Sequence, residues 1–265
     1  MASKRVGVFG AGGRMGAAVC AAVASAPDLD LVAAVDPAWA GVELSERGVV
    51  DTGLVISPNA AELVKVKAEV VVDFTVAEAA RDNLVWCAEN EIHAVVGTTG
   101  FSAADLEDIR VRFEASKANA LIAPNFAIGA VLMMRFAELA APYFETAEII
   151  ELHHDQKVDA PSGTAILTAE RMAAASSDFA ADPTEQVVIA GARGASGPGG
   201  IPIHSVRMRG MVAHEEVILG STGQTLTVRH DSYDRTSFMP GVLLAIRSVF
   251  ERPGLIVGLD ALLDI

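Results

Sequence analysis

Short apolar runs alternate with amphipathic segments throughout the first half of the chain. The runs lie at residues 5–10, 29–36, 69–75, 93–100 and 120–126. They are rich in valine and lack a strict polar alternation, which is typical of parallel strands buried on both faces. The segments between them have helical spacing, so the pattern predicts a parallel sheet with helices on both sides. Residues 37–66 are less regular, and only 49–56 among them resemble a further strand.

The second half of the chain has a different pattern. An apolar helical segment at 127–144 precedes a strand at 147–154 and a helix that begins near Ser162. A glycine-rich stretch at 191–205 predicts a long loop. Three alternating runs, at 204–210, 213–221 and 224–232, predict mainly antiparallel strands, and the segments 239–254 and 255–265 predict helix. The fold class is therefore α/β, with a parallel-sheet domain and a second α+β domain that contains an open mixed or antiparallel sheet.

Composition narrows the class of protein. The chain has 265 residues, of which 51% are hydrophobic and 20% charged, a balance that fits folded domains. Its formal charge is −14, which argues against binding to nucleic acid or to an anionic membrane surface. Cys20 and Cys87 lie in apolar helical stretches, so we expect buried free thiols and no metal site. A strand begins at residue 5 without a preceding signal peptide, and no apolar run is long enough to cross a membrane, so we expect a cytoplasmic protein.

A glycine-rich turn follows the first strand. Gly10, Gly13 and Gly16 have G-x-x-G-x-x-G spacing, and the second strand ends in Asp36. Such a turn lets the pyrophosphate of a dinucleotide approach the backbone at a helix N-terminus, while an acid after the second strand binds the ribose hydroxyls. The pattern predicts a Rossmann-type dinucleotide-binding domain. The alternative, in which the glycines only let a helix pack on a strand, does not account for the acid.

The segment from Glu151 to Ala165, ELHHDQKVDAPSGTA, concentrates titratable side chains where a strand meets a helix, and we call it the junction segment. Ser162 is placed to cap the helix. The amides of Gly163 and Thr164, with the Thr164 hydroxyl, then form an anion site at the start of that helix.

Two histidines and a lysine precede this anion site along the chain. His153 and His154 are adjacent, and Lys157 follows in the turn. A lone histidine is more often structural, and a lone lysine is usually a solvated charge. Their presence in one segment, in a chain that also has a nucleotide loop, favours a site that binds a carboxylate beside proton donors.

The junction segment resembles the signature of the 4-hydroxy-tetrahydrodipicolinate reductase family, formerly called dihydrodipicolinate reductase. The motifs GAGGRMG, VVDFT, VVGTTGF and APNFAIGAVL resemble that family's cofactor-side motifs in the same order, and the resemblance extends over nearly the whole chain. It implies an NAD(P)H-dependent oxidoreductase that reduces a small cyclic dicarboxylate to tetrahydrodipicolinate in lysine and diaminopimelate biosynthesis. It also implies a homotetramer.

Site residues carry over position by position. The resemblance implies that His153 and Lys157 are catalytic, and that His154, Gly163 and Thr164 bind the substrate. The cofactor contacts that it implies are Gly10, Ala11, Gly12, Gly13, Arg14, Met15, Asp36, Phe74, Thr75, Gly97, Thr98, Thr99, Ala123, Pro124, Asn125 and Phe126. We predict a dinucleotide-binding domain over 1–127 and 240–265, and a substrate-binding and oligomerisation domain over 128–239.

Cofactor choice and reaction class leave alternatives open. Asp36 should repel a 2′-phosphate, and Pro37 stands where many family members carry an arginine, so we expect NADH to be used at least as well as NADPH. Arg14 could still reach that phosphate. Without the resemblance, the residues would also fit another NAD(P)-dependent reductase of a small imine or amino acid, or a non-catalytic NADH-sensing module.

Overall fold

A computed structural model describes residues 3–49 and 52–263 of the chain. The chain divides into two compact units. The first unit comprises Met1–Phe126 with Phe238–Ile265, and the second comprises Ala127–Ser237. The chain therefore leaves the first unit, builds the second, and returns.

The secondary structure follows the predicted alternation. The strands are β1 (Lys4–Phe9), β2 (Leu29–Val35), β3 (Val70–Asp73), β4 (His93–Val96), β5 (Ala120–Ile122), β6 (Thr146–His153), β7 (Ala195–Ser196), β8 (Pro202–Arg207), β9 (Ala213–Ser221), β10 (Gln224–Ser232) and β11 (Leu255–Val257). The helices are α1 (Arg14–Ser25), α2 (Ala61–Lys65), α3 (Ala77–Glu89), α4 (Ala103–Glu114), α5 (Ile128–Ala140), α6 (Gly163–Ala175) and α7 (Met239–Ser248). None of these helices is long and apolar enough to cross a membrane.

The sheet of the first unit is entirely parallel, in the order β11–β5–β4–β3–β1–β2. All four residues of β3 are buried, as expected for a strand that is covered on both faces. The predicted α/β class and Rossmann-type sheet are confirmed. All five predicted strands belong to this sheet, so their carboxyl ends lie along one edge of it.

The helix predicted for residues 255–265 is wrong. Leu255–Val257 instead form β11, which pairs in parallel with β5 at the edge of the sheet, and the 3₁₀ helix Asp260–Leu262 follows it. Residues 264 and 265 lie outside the described residues. A short apolar run fits a buried strand as well as a helix, so periodicity alone could not separate the two.

The irregular stretch 37–66 contains short elements. Two 3₁₀ helices, Pro37–Trp39 and Leu44–Arg47, precede α2. The strand predicted at 49–56 includes residues 50 and 51, which the structure does not describe. Near its end, Val55 forms an isolated bridge with Glu43.

The sheet of the second unit is mixed, in the order β10–β9–β6–β8–β7. Strand β9 is antiparallel to both of its neighbours, whereas β8 runs parallel to β6. The expected open mixed sheet is confirmed, and β8 is antiparallel to β7 but not, as expected, to its other neighbour β6. Helix α6 lies between β6 and β8 in the chain, and such a crossover connection is what joins parallel neighbours. The loop predicted at 191–205 contains β7 and the start of β8.

The core of the second unit lies between its sheet and helix α6. Ala147 and Ile149 on β6 and Val217 and Leu219 on β9 are buried against α6 residues that include Ala169. Alternate residues of each strand point to this core because side chains on a strand alternate between the two faces. The continuation of these two rows toward the junction segment is polar.

Candidate active site

The turn after β1 carries the glycines of the predicted dinucleotide loop. The Gly13 amide donates to the Gly10 carbonyl at 3.0 Å, and α1 begins at Arg14. A Cβ on Gly16 would overlap the Gly10 carbonyl, so α1 can lie this close to the turn only with glycine at that position. Within the described residues, no side-chain hydrogen bond caps α1. Its first amides can therefore serve a bound anion.

The loops after β3, β4 and β5 lie against one another. The rings of Phe74 and Phe126 are 5.7 Å apart between centroids, and the Phe74 ring also covers Gly97, where a Cβ would overlap it. The Thr98 hydroxyl donates to the Thr75 carbonyl at 2.8 Å. The structure thus brings together the cofactor-side residues predicted from three separate motifs.

The other predicted cofactor residues lie on the same strand ends. Ala11, Gly12 and Ala123 are buried, Met15 and Asn125 are half-buried, and Arg14, Thr99 and Pro124 are exposed. The glycine turn adjoins the β3 loop, because a Cβ on Gly10 would lie 3.1 Å from Cγ2 of Thr75. We call the loops that follow β1 to β5 the strand-end loops.

Asp36 lies beside the glycine turn. Its Oδ2 accepts from the Gly12 amide at 3.1 Å, and its Oδ1 accepts from the Ala38 amide at 3.0 Å. The Trp39 side chain covers Gly12, and the Arg47 guanidinium lies 4.0 Å from the centre of the Trp39 ring. Sequence reasoning missed Trp39 and Arg47, because they lie in the irregular stretch and belong to no motif that it used.

These features fit a dinucleotide. Because Gly16 has no Cβ, the N-terminus of α1 lies directly against the glycine turn, which suits the binding of a pyrophosphate at that helix end. The carboxylate of Asp36 is held at the end of β2, where ribose hydroxyls bind in folds of this kind.

The junction segment turns sharply where β6 ends. The strand stops at His153, and the exposed His154 begins the turn. The Ser162 hydroxyl caps α6 by accepting from an amide of its first turn at 3.2 Å. Gly163 is exposed and Thr164 half-buried in that same turn. The predicted anion site is therefore a capped helix start with accessible backbone.

Lys157 lies in the turn between these two ends. Its ammonium donates to both carboxylate oxygens of Asp159, at 2.7 and 2.9 Å. The hydrogen bonds from Lys157 lower the pKa of the Asp159 carboxyl below its ordinary value. The Lys157 side chain is 21% exposed, so its ammonium is accessible without being fully solvated.

The centre of the junction segment is Glu151, which sequence reasoning did not assign to the site. Its side chain is fully buried. One carboxylate oxygen lies 2.5 Å from Nδ1 of His153, and Arg207 donates to both oxygens at 2.8 Å. The Ser162 amide donates to the second oxygen at 3.3 Å.

The charge state of Glu151 follows from these contacts. Burial alone would raise the pKa of its carboxyl, but the hydrogen bonds from His153 and Arg207 outweigh burial and lower the pKa to about 2. The carboxylate is ionised near neutral pH. A sequence signal did exist, because Glu151 occupies the inward position that follows Ala147 and Ile149 on β6.

Two family models cover the chain almost completely. Residues 4–126 match the model described as dihydrodipicolinate reductase, N-terminus, and residues 129–263 match dihydrodipicolinate reductase, C-terminus. The chain belongs to the dihydrodipicolinate reductase family. It is therefore an oxidoreductase of a family that uses a nicotinamide cofactor.

Relatives at high identity agree with this membership. A protein named 4-hydroxy-tetrahydrodipicolinate reductase from Nocardia farcinica is 51% identical over 265 residues, covering 98% of this chain and 99% of the relative. A protein of the same name from Mycobacterium marinum is 51% identical over 263 residues, covering 98% of this chain and 99% of the relative.

A solved structure of the family also matches the chain. Dipicolinate-bound dihydrodipicolinate reductase from Paenisporosarcina sp. TG-14 is 42% identical, with a TM-score of 0.87 over 98% of this chain and 99% of that one. An amine dehydrogenase from Mycobacterium smegmatis, at 15% identity and a TM-score of 0.66, shares the fold alone.

Proposed function

We propose that the chain reduces 4-hydroxy-tetrahydrodipicolinate, or the dihydrodipicolinate derived from it, to tetrahydrodipicolinate with NADH or NADPH. One observation carries the proposal beyond family membership. A single buried carboxylate, Glu151, holds the ring of His153, the amide of Ser162 at the start of α6, and Arg207. The proton-transfer groups and the anion site therefore form one organised segment, as a small dicarboxylate would require.

The helix start is the proposed holder of a substrate carboxylate. The amides of Gly163 and Thr164, the Thr164 hydroxyl and the His154 ring are the groups that would contact it. Lys157 lies within the same segment, and its ammonium donates to Asp159. A substrate carboxylate can compete with Asp159 for the ammonium, which would bring Lys157 to the substrate.

Side chains of the protein are proposed to deliver the proton to the substrate. The nicotinamide supplies the hydride when it is bound. Lys157 carries transferable protons and a positive charge, so it can protonate the substrate and offset the negative charge that reduction places on its ring. His153, whose Nδ1 is engaged by Glu151, can give a proton from its Nε2 when both ring nitrogens carry hydrogen.

The strand-end loops are the proposed cofactor site. The carboxylate of Asp36 favours the ribose hydroxyls of NADH, whereas Arg14 and Arg47 are cations that a 2′-phosphate could engage. We therefore propose that both cofactors are used, with NADH used at least as well as NADPH.

A homotetramer is part of the proposal. Three large apolar or aromatic side chains of the second unit, Val188, Ile189 and Tyr233, are exposed by 85%, 73% and 75%, and β10 is an edge strand. Such surfaces suit contacts between copies of the chain. Light scattering should give a mass four times the 27.6 kDa of one chain, and a monomeric mass would reject this part.

The activity test supplies the purified chain with the condensation product of pyruvate and aspartate semialdehyde. We expect NADH and, in a separate reaction, NADPH to lose absorbance, with tetrahydrodipicolinate as the product. The relative from Nocardia farcinica serves as the positive control, because it is 51% identical. If that control oxidises the cofactor and this chain does not, the proposed function fails. Activity would also accord with the biosynthetic role.

A further inference from the structure

Two carboxyl side chains interrupt the apolar core beneath the junction segment. On β6, Glu151 follows Ala147 and Ile149 in the inward row, and on β9, Glu215 occupies the inward row with Val217. Glu151 and Glu215 are directly opposite each other in the antiparallel pairing of the two strands. Glu151 is fully buried and Glu215 is 5% exposed. Two adjacent buried carboxyls are costly unless each has a specific arrangement of partners.

The acceptor sites of Glu151 are filled by donors. Its two oxygens receive the Arg207 guanidinium twice, the Ser162 amide, and Nδ1 of His153. The bidentate contact with the Arg207 guanidinium is that of an ionised carboxylate, in agreement with the lowered pKa of Glu151 of about 2, so the carboxyl has no hydrogen of its own to donate to His153. Nδ1 of His153 must therefore carry the hydrogen in this contact. The other ring nitrogen, Nε2, is left for the substrate.

The contacts of Glu215 fit a protonated carboxyl instead. The Thr168 hydroxyl lies 2.6 Å from a Glu215 oxygen and 2.9 Å from the Thr164 carbonyl. A hydroxyl has one hydrogen, so it cannot donate to both. Both contacts are satisfied when protonated Glu215 donates to Thr168 and Thr168 donates to Thr164. Burial, with repulsion from Glu151, raises the pKa of Glu215 to about 7, which agrees with this count.

Arg207 connects Glu151 to the loop that carries Lys157. Besides its two bonds to Glu151, the guanidinium donates to the Asp159 carbonyl at 2.6 Å. The Ser162 amide is bound to Glu151 at the far end of the same loop. Residues 154–162 are therefore attached at two points to one ion pair, and His153 immediately precedes them.

We propose that the buried ion pair of Glu151 and Arg207 is a positioning unit, which fixes the His153 ring through Nδ1 and anchors the loop bearing Lys157. The inference rests on the proposed roles of His153 and Lys157. Neither member of the pair needs to touch the substrate. Their effect on the reaction passes through the tautomer of His153 and through the placement of the loop.

The same strand carries a natural comparison. Glu148, three residues before Glu151, accepts from His204 at 2.6 Å and from Arg193. This second cluster has the same three residue types but faces outward, with Glu148 29% exposed. The ionic contacts of Glu148 are with Arg193 and His204, which lie outside the junction segment. Glu148→Gln is therefore a matched control for Glu151→Gln.

The first experiment compares these two variants with the wild type. Glu151→Gln replaces the carboxylate by an amide that can offer the ring either an acceptor or a donor, so His153 is no longer held in one tautomer. We expect kcat to fall roughly tenfold to a hundredfold, the scale known for groups that orient metal-bound histidines. The KM for the substrate should change by a smaller factor and NADH affinity should be unchanged. Glu148→Gln should leave kcat within about twofold of the wild-type value.

The second experiment reads the tautomer directly. Nitrogen NMR of protein labelled in its six histidine rings, assigned for His153 with a His153→Gln variant, should show hydrogen on Nδ1 in the wild type and in Glu148→Gln. Glu151→Gln should lose this signature. A neutral wild-type ring with hydrogen on Nε2 would overturn the proposal, as would a Glu151→Gln kcat within threefold of wild type.

A paired variant covers the case in which Glu151→Gln does not fold because Arg207 is left without its counter-charge. Glu151→Met combined with Arg207→Met replaces the ion pair by apolar side chains, a change that cores often accept. This variant should fold and bind NADH, yet show the same loss of kcat, and full activity in it would reject the positioning role. An inactive wild-type chain would reject the proposed function alone, because the NMR readout needs no turnover.

Discussion

The proposed binding surfaces of the two units are built from different chemical groups, in the strand-end loops of the first unit and in the junction segment of the second. The strand-end loops rely on backbone and on small or aromatic side chains, such as Gly16 against the Gly10 carbonyl and Phe74 over Gly97. The junction segment relies on charged side chains whose partners are far apart in sequence, above all Glu151 and Arg207. Substitutions in the strand-end loops should therefore act mainly by changing the shape of the binding surface. Substitutions in the junction segment should act mainly by changing charge and protonation. Five substitutions test that difference.

The largest effect should come from Lys157 in the junction segment. Lys157→Ala removes both a proton donor and a positive charge, so we expect kcat to fall about a hundredfold or more. NADH affinity should be nearly unchanged, because the strand-end loops are intact. Steady-state kinetics with a separate fluorescence titration of NADH measures both. Survival of activity within a few-fold would remove Lys157 from the reaction and weaken the contrast between the two sites.

The next largest effect concerns the neighbouring carboxyls under the junction segment. The pKa of Glu215 in the fold is about 7, above its ordinary 4.5, so its stabilising contribution is complete below pH 4.5 and is lost as pH rises through 7. Glu215→Gln keeps a donor for Thr168 and cannot ionise. The free energy of unfolding of the variant minus that of the wild type should therefore rise by about 3 kcal/mol from pH 4 to pH 9.

Denaturant unfolding of both proteins at several pH values measures that gain, and the difference between them isolates Glu215 from other titrating groups. Glu151 should affect stability at acidic pH instead. Its pKa is about 2 in the fold, so its contribution is present above pH 4.5 and is lost as pH falls toward 2. A constant difference between wild type and Glu215→Gln across the pH range would mean that Glu215 is not protonated in the fold.

Adding a single methyl group beside the glycine turn should weaken folding or NADH binding. In Gly16→Ala the new Cβ meets the backbone of Gly10, which cannot move aside as a flexible side chain would, so we expect a loss of about 1–3 kcal/mol in stability or NADH affinity. Gly163→Ala is the matched control, because it also lies in the first turn of a helix and its Cβ would have no atom within 4 Å. It should fold as the wild type does. Equal tolerance of both changes, measured by thermal unfolding and NADH titration, would contradict the shape argument.

A smaller effect is expected at the substrate anion site. Thr164→Val keeps the side-chain shape and removes the hydroxyl, so one hydrogen bond to the substrate is lost, worth about 1 kcal/mol. We expect KM to rise several-fold with kcat changed less. The backbone carbonyl of Thr164 still accepts from Thr168, so the fold beneath should be unaffected. An unchanged KM would count against the helix start as the carboxylate holder.

The same contrast explains what the sequence could and could not predict. The strand-end loops were predictable because glycine spacing and strand position are local signals, and the contacts of Phe74, Gly97 and Phe126 join loops that follow adjacent parallel strands. Arg207 was not predictable, since its pairing with Glu151 depends on β8 lying parallel to β6, and the sequence pattern favoured an antiparallel strand there. Arg47 was missed for a related reason, because an irregular stretch without periodicity brings it to Trp39.

The smallest expected effect lies in the strand-end loops, at the one carboxylate among the residues predicted to contact the cofactor. Asp36→Asn keeps an acceptor for the Gly12 amide and removes the negative charge that would face a 2′-phosphate, so the ratio of kcat/KM for NADPH to that for NADH should rise several-fold. Asp30→Asn removes the same charge from an exposed position on β2 and should leave the ratio unchanged. If both variants shift the ratio equally, the effect is one of net charge and the proposed ribose contact is wrong. A shift confined to Asp36 would show that charge governs cofactor choice within a site otherwise built from backbone shape.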